Sequence, residues 1–249
     1  VTKTLKSYQM LKDLFSLDQR NLDGTYNEKV IFDNQIMMLS HYALITDDDR
    51  QDFEREFMKR QLELHTQCMT IEQGTIPFML CPNPDLCSVD HLMNEIDIGG
   101  KPDWNTLFLK EKEMHDMWTH PYKFSLSHIS CGIQVGIICD NPFLLEESSG
   151  IEKAPADILA KIQMQHGSDI TGLTLYEGLL LSLYYPDIYD VWAGIQTAGT
   201  VYGKYEQTLR LYWLNDKPNR FLKVAKEKSP LLDSRFVSPR VKQRIIIEK

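Results

Sequence analysis

The side chains best suited to catalysis are spread over residues 97–139. His115, His120 and His128 are candidate general acids or bases, and Asp97 is an acidic group in the same stretch. The five-residue spacing of His115 and His120 does not place them on one face of a helix. We therefore expect scattered surface histidines, and a hydrolase or transferase that uses His, Asp and Cys groups of this stretch is the alternative hypothesis.

Cysteines offer a second kind of chemistry, as zinc ligands or as a nucleophile. Cys68, Cys81, Cys87 and His91 are candidate zinc ligands, but structural zinc usually takes its first ligand pair from positions only two to four residues apart. Cys81 and Cys87 are farther apart than that. Cys131 could be a nucleophile, yet it lies in an apolar run that favours a buried thiol. We expect no metal and no cofactor.

A glycine-rich segment, Gly199–Lys204, resembles a phosphate-binding loop. Its two glycines are one residue too close, and Tyr205 stands where a Ser or Thr would bind magnesium. The segment is therefore interpreted as a glycine-rich turn.

An aromatic-rich stretch from Tyr176 to Trp213 could hold a small polar ligand by stacking or could fill the core. If Leu209–Leu214 is a strand, Trp213 lies on one face, and Arg210 and Tyr212 lie on the other. An unpaired buried charge is costly, so we expect the Trp213 face to be the core. The candidate ligand-binding residues are then Arg210, Tyr212 and Tyr185.

Helices are predicted first along the chain, and short strands follow. Apolar spacing predicts a helix over Asn27–Leu44, and Thr46 followed by three aspartates predicts the capped start of another. Ile76–Leu80 and Ser130–Cys139 are β-branched or apolar runs typical of buried strands. This order predicts an α+β fold with a helical N-terminal third, followed by a mixed or antiparallel sheet with packed helices.

The last third of the chain contains a predicted helix and a predicted hairpin. Thr174 and Glu177 have the spacing of a capping box, which predicts a helix over residues 174–185. Leu209–Leu214 and Arg220–Val224 are predicted to pair as a hairpin around a proline-containing loop longer than a two-residue turn. The capping box accounts for Thr174 and Glu177 without any catalytic role.

Composition limits the class of protein. The chain has 249 residues, a net charge of −8 and five irregularly spaced cysteines, so we expect no disulfide framework and no nucleic-acid partner. No apolar run approaches the ~20 residues of a membrane span, and no secretory signal is visible, which predicts a soluble cytoplasmic protein. We expect one globular domain over residues 1–249, with a possible helical subdomain 1–70 and a basic, solvated segment 225–249.

Short motifs in the expected order give the chain a resemblance to a known family. Phe32-Asp33-Asn34-Gln35 is similar to an F-D-x-Q helix motif, and Leu173–Leu179 is similar to an L-T-x-x-E-G-L helix motif. In these motifs the chain resembles a bacterial family classified only as a domain of unknown function. The resemblance implies a bacterial cytoplasmic protein and transfers no catalytic residue. The leading hypothesis is a module that binds a small polar ligand or a protein partner.

Overall fold

The computed structural model describes a helical N-terminal part and two β-sheets. For residue 198, for residues 200–202, and for the strands between residues 207 and 237, it describes the backbone only. The described residues are 26–69, 75–83, 92, 131–139, 163–164, 170–185, 194–202, 207–216, 219–227, 236–237 and 239–247.

The helices and strands are numbered in chain order. The helices are α1 (Glu28–His41), α2 (Asp47–Met69) and α3 (Leu175–Tyr184). The strands are β1 (Thr75–Cys81), β2 (Gly132–Ile138), β3 (Thr171–Gly172), β4 (Gly194–Tyr202), β5 (Gln207–Asp216), β6 (Asn219–Glu227), β7 (Phe236–Val237) and β8 (Arg240–Ile246). The first sheet has the order β1-β2-β8-β3 and is antiparallel throughout. The second has the order β6-β5-β4-β7, with β7 parallel to β4. The predicted α+β class is confirmed.

Local capping explains where the first two helices begin. The Asn27 side chain accepts hydrogen bonds from the backbone N–H groups of Lys29 and Val30 at the start of α1. At the start of α2, the Asp49 backbone donates to Thr46 Oγ1, and the Thr46 backbone donates to Asp49 Oδ2. Both arrangements satisfy N–H groups that a helix leaves free at its first turn. The capping role predicted for the aspartates is confirmed at Asp49.

Helices pack against both faces of the first sheet. Phe78 of β1 lies 6.4 Å from Phe57 of α2, whose ring stacks 4.2 Å from Phe32 of α1. Arg244 of β8, which reaches the N-terminal turn of α3, lies in the cross-strand row of Gln134 and Met79. Successive side chains of a strand point to opposite faces, so the row of Met79 faces away from Phe78. The helical pair α1–α2 therefore covers one face, and α3 covers the other.

Leu173 connects the two sheets through its backbone. Its N–H donates to Pro239 O at 3.0 Å, and its carbonyl accepts from Gly199 N at 2.9 Å. A Cβ atom on Gly199 would lie 2.3 Å from Gly172 O, so this close approach requires glycine. Gly199 lies within β4, at the register shift between Thr197 and Val201. The interpretation of Gly199–Lys204 as a turn is therefore wrong for Gly199, and this part of the segment is not a phosphate loop.

Two further expectations about the C-terminal third are corrected by strand pairing. The hairpin of β5 and β6 is confirmed, but its register continues to Asp216 opposite Asn219, which leaves only two residues between the strands. The basic segment 225–249 is not simply a solvated tail, because β8 lies between β2 and β3. Its apolar residues Val241 and Ile245 are buried.

Candidate functional site

A buried carboxylate stands at the first turn of α3. Glu177 has no exposed surface, and its Oε2 accepts the backbone N–H of Thr174 at 2.8 Å. In return, Thr174 Oγ1 accepts the backbone N–H of Glu177 at 3.2 Å. The predicted capping box is therefore confirmed. It uses only part of the hydrogen-bonding capacity of the carboxylate.

Arg244 supplies the remaining partner of this carboxylate. Its Nε and Nη2 atoms donate to the two Glu177 oxygens at 2.8 Å each, which is a bidentate ion pair. Its Nη1 donates to Thr171 Oγ1, and Nη2 also donates to Gly172 O at 3.2 Å. Burial alone would lower the pKa of Arg244, but the Glu177 carboxylate outweighs burial and raises it. One side chain of β8 thus joins β3 to the start of α3.

Two of the buried thiols, those of Cys81 and Cys68, are not activated. Burial raises the pKa of Cys81 well above its ordinary value, and the nearby Glu177 charge adds to this, while a hydrogen bond from Gln134 opposes it. Burial likewise raises the pKa of Cys68 to about 12. Since the thiolate is the nucleophile and the metal ligand, both groups are poor at either task near neutral pH. Within the described ranges, no group of three or more His, Cys, Asp or Glu side chains is placed to hold a metal ion.

Strand β1 ends the first sheet, and side chains of α1 and α3 bind backbone groups along its outer edge. The Gln35 carboxamide accepts the N–H of Leu80 at 2.7 Å and donates to Phe78 O at 3.2 Å, so it replaces a neighbouring strand. Tyr184 donates its hydroxyl to Leu80 O at 2.9 Å, which satisfies a third backbone group in the same segment. An exposed edge would offer such groups to another chain. Here α1 and α3 close it.

Strand β6 ends the second sheet and differs from β1. Its nine residues pair with β5 from Asn219 to Glu227 without a register shift, and no described strand pairs with its other side. The pair that closes a two-residue hairpin exchanges both backbone hydrogen bonds, and hydrogen-bonded pairs then alternate along the strands. The N–H and C=O groups of residues 220, 222, 224 and 226 therefore point away from β5. This row of backbone groups is called the β6 edge.

Most of the catalytic candidates predicted from the sequence lie outside the part of the chain that the structure describes. His115, His120, His128 and Asp97 lie outside the described residues. The described end of the 97–139 stretch is strand β2 with its flanking residues, where Cys131 is buried with 4% of its surface exposed. That burial agrees with the core thiol expected from the sequence.

The predicted ligand-binding residues lie in two different parts of the described structure. Arg210 and Tyr212 lie in β5, opposite Ala225 and Lys223 of β6, and their side chains are outside the description. Tyr185 directly follows α3, and its hydroxyl accepts from Gln35 Nε2 at 3.4 Å. Burial raises the pKa of Tyr185. Because Gln35 also binds the backbone of Phe78 and Leu80, the Tyr185 hydroxyl lies near the outer edge of β1.

Sequence reasoning missed the two side chains that do most to organise the described polar groups. Arg244 was grouped with the basic C-terminal residues, although the alternation of Val241, Gln243 and Ile245 with three cations is a strand pattern. Gln35 was noticed only as part of the F-D-x-Q motif. A polar residue on the otherwise apolar face of α1 is the signal that could have identified it, because a buried amide must have partners.

The capping box leads to a stability prediction. Replacing Thr174 by alanine removes the acceptor of the Glu177 N–H, and we expect the free energy of unfolding to fall by about 1 kcal/mol. Urea denaturation followed by circular dichroism would measure the change. Thr174→Ser, which retains the oxygen, should lose clearly less. Equal losses for the two variants would show that the methyl group, rather than the cap, is responsible.

Comparisons of the chain with protein-family models, with curated proteins and with solved structures found no significant match. None of the helices in the described ranges has the length and apolar character needed to span a bilayer.

Proposed function

We propose that this protein is a protein-binding module, and that its docking element is the β6 edge. The observation that carries the proposal is the contrast between the two outer strands. The edge of β1 is closed by Gln35 and Tyr184, whereas β6 lies at the end of the second sheet without a partner among the described strands. An extended peptide can add to such an edge through main-chain hydrogen bonds.

The form of β6 supports this role. Proteins commonly protect an outer strand by keeping it short, by inserting proline, by introducing a bulge, or by placing charged residues such as lysine on it. Of these devices, β6 has only the charged residues Arg220, Lys223 and Lys226, which oppose a like-charged strand and permit an acidic one. Strand β6 has nine residues, its sequence NRFLKVAKE contains no proline, and its pairing with β5 has no register shift. A peptide of matching length would find four residues with outward backbone groups, which is enough for a regular ladder.

The chemically reactive side chains of Glu177, Cys81 and Cys68 are either paired within the protein or held protonated, which favours binding over catalysis as the function. Glu177 accepts from Arg244 and Thr174, and the raised pKa values of Cys81 and Cys68 keep these thiols protonated. These groups stabilise the protein and leave no unoccupied acid, base or nucleophile among them. The resemblance to a bacterial family of unknown function supports a cytoplasmic protein of bacterial origin as the setting for this module.

A second candidate surface must be distinguished from the β6 edge. Along α2, Met58, Leu62 and Met69 are exposed, with Leu62 the most exposed at 80%. Their spacing of four and seven residues places them on one helical stripe. An exposed apolar stripe is a competing site for a protein partner.

The test is a selection from a displayed library of random dodecapeptides on the immobilised protein. We expect enriched peptides to slow amide hydrogen exchange at residues 220, 222, 224 and 226. Their affinity should be unchanged by Leu62→Asp, which alters only the α2 stripe. Failure to enrich any peptide, or enrichment only of peptides lost in Leu62→Asp, would refute docking at β6.

A further inference from the structure

We infer that the β6 edge takes an acidic, extended segment of a partner protein, an inference that rests on the proposed function. The strand carries Arg220, Lys223 and Lys226, and its only acidic residue is Glu227. The whole chain has a net charge of −8, so this strand is opposite in sign to the protein as a whole. A positively charged strand favours a partner segment of negative charge.

The spacing of the cations defines the partner more closely. Arg220, Lys223 and Lys226 are three residues apart, so a strand added to β6 would place acidic residues of the same spacing opposite each of them. Cross-strand pairs of opposite charge stabilise a sheet, and like charges directly opposite each other destabilise it. The expected ligand is therefore an extended segment with Asp or Glu at every third position.

A second copy of this chain is a poorer occupant than an acidic segment. If two β6 strands paired antiparallel about Lys223, Arg220 of one copy would lie opposite Lys226 of the other. Lys223 would also lie opposite its own counterpart. Lysine and arginine on an outer strand thus oppose self-association and still permit an acidic partner. Repulsion of a second copy and attraction of an acidic segment together make the strand specific for the acidic segment.

The charge requirement can be tested with three synthetic nonapeptides in a Thr/Val host. They carry glutamate, glutamine or lysine at the first, fourth and seventh positions, and fluorescence anisotropy gives their dissociation constants with the full chain. From three cross-strand charge pairs, we expect the glutamate peptide to bind between about threefold and about a hundredfold more tightly than the glutamine peptide. The difference should shrink as the salt concentration is raised.

The backbone ladder can be tested without altering the protein. The glutamate peptide is made with N-methyl groups either on the alternate residues that face β6 or on those that face away. We expect the first set to abolish binding and the second to leave it within about threefold, because only one alternate set donates across an added ladder. Equal loss for the two sets would refute strand addition.

A charge reversal in the protein completes the test. The variant Arg220→Glu/Lys223→Glu/Lys226→Glu should prefer the lysine peptide, and its thermal melt shows whether it is folded. Equal binding of all three peptides at β6 would refute the acidic partner while the proposed docking strand survived. If no peptide protected β6 amides from exchange, both proposals would fail.

Discussion

Replacement of Arg244 by methionine is expected to lower the free energy of unfolding by about 3–5 kcal/mol, the usual cost of removing one partner from a buried ion pair. The Glu177 carboxylate has no exposed surface, so water cannot replace the two hydrogen bonds that Arg244 donates. The loss should also affect β3, because Arg244 bonds to Thr171 and Gly172. Urea denaturation of the full chain would measure it.

A double-mutant cycle separates the ion pair from side-chain packing. Arg244→Met combined with Glu177→Gln should lose less stability than the sum of the single losses, since neither partner is then left charged and alone. Arg55→Met is the matched control, because its pair with Asp52 is 65% exposed on the arginine side. That control should lose less than about 1 kcal/mol. A loss of similar size at Arg244 would show that the buried pair contributes no more than a surface pair.

The two halves of this cluster differ in how far the sequence could predict them. Thr174 and Glu177 are three residues apart, and the capping box depends only on that spacing, so it was predicted and confirmed. Arg244 reaches Glu177 across 67 residues of sequence. That contact depends on the position of β8 beside β3, which no local pattern of charge or hydrophobicity specifies.

The same limit applies to the sheets. Strands β1 and β2 were predicted from their apolar, β-branched runs because both are buried along almost their whole length. Strand β3 has only two residues and shows no periodicity, and its existence depends on pairing with β8. The α+β class follows from the order of elements along the chain. The order of strands, and therefore which strand lies at an edge, follows from long-range pairing.

Candidate functional residues were harder to predict for a related reason. The sequence draws attention to histidines, cysteines and aromatic residues, whose side chains are chemically distinctive. The β6 edge is a row of backbone groups, and every residue type except proline provides them. Only the cations of β6 are visible in the sequence: Arg220 and Lys223 lie in the predicted hairpin, and Lys226 lies in the segment 225–249 that was expected to be solvated.

Replacement of Gln35 by leucine is expected to lower the free energy of unfolding by about 2–6 kcal/mol. Leucine has a similar size, but it leaves Phe78 O and Leu80 N without partners in a buried region, and each such group costs about 1–3 kcal/mol. Gln35 itself is 3% exposed, so water has little access to these groups. Urea denaturation would give the loss, with Met37→Leu on the exposed side of α1 as a control that should change stability by less than about 0.5 kcal/mol.

Amide hydrogen exchange then links this variant to the proposed function. In the wild-type protein, the Leu80 amide should exchange slowly because Gln35 holds it, whereas the amides of Leu222 and Val224 should exchange quickly at the β6 edge. Gln35→Leu should accelerate exchange at Leu80 and leave the β6 amides unchanged. If Leu80 exchanged as slowly in the variant as in the wild type, another group would be sealing β1. The docking proposal rests on a contrast between β1, whose outer edge is bound by Gln35, and β6, which has no partner among the described strands. That result would remove the evidence for Gln35 as the group that closes β1.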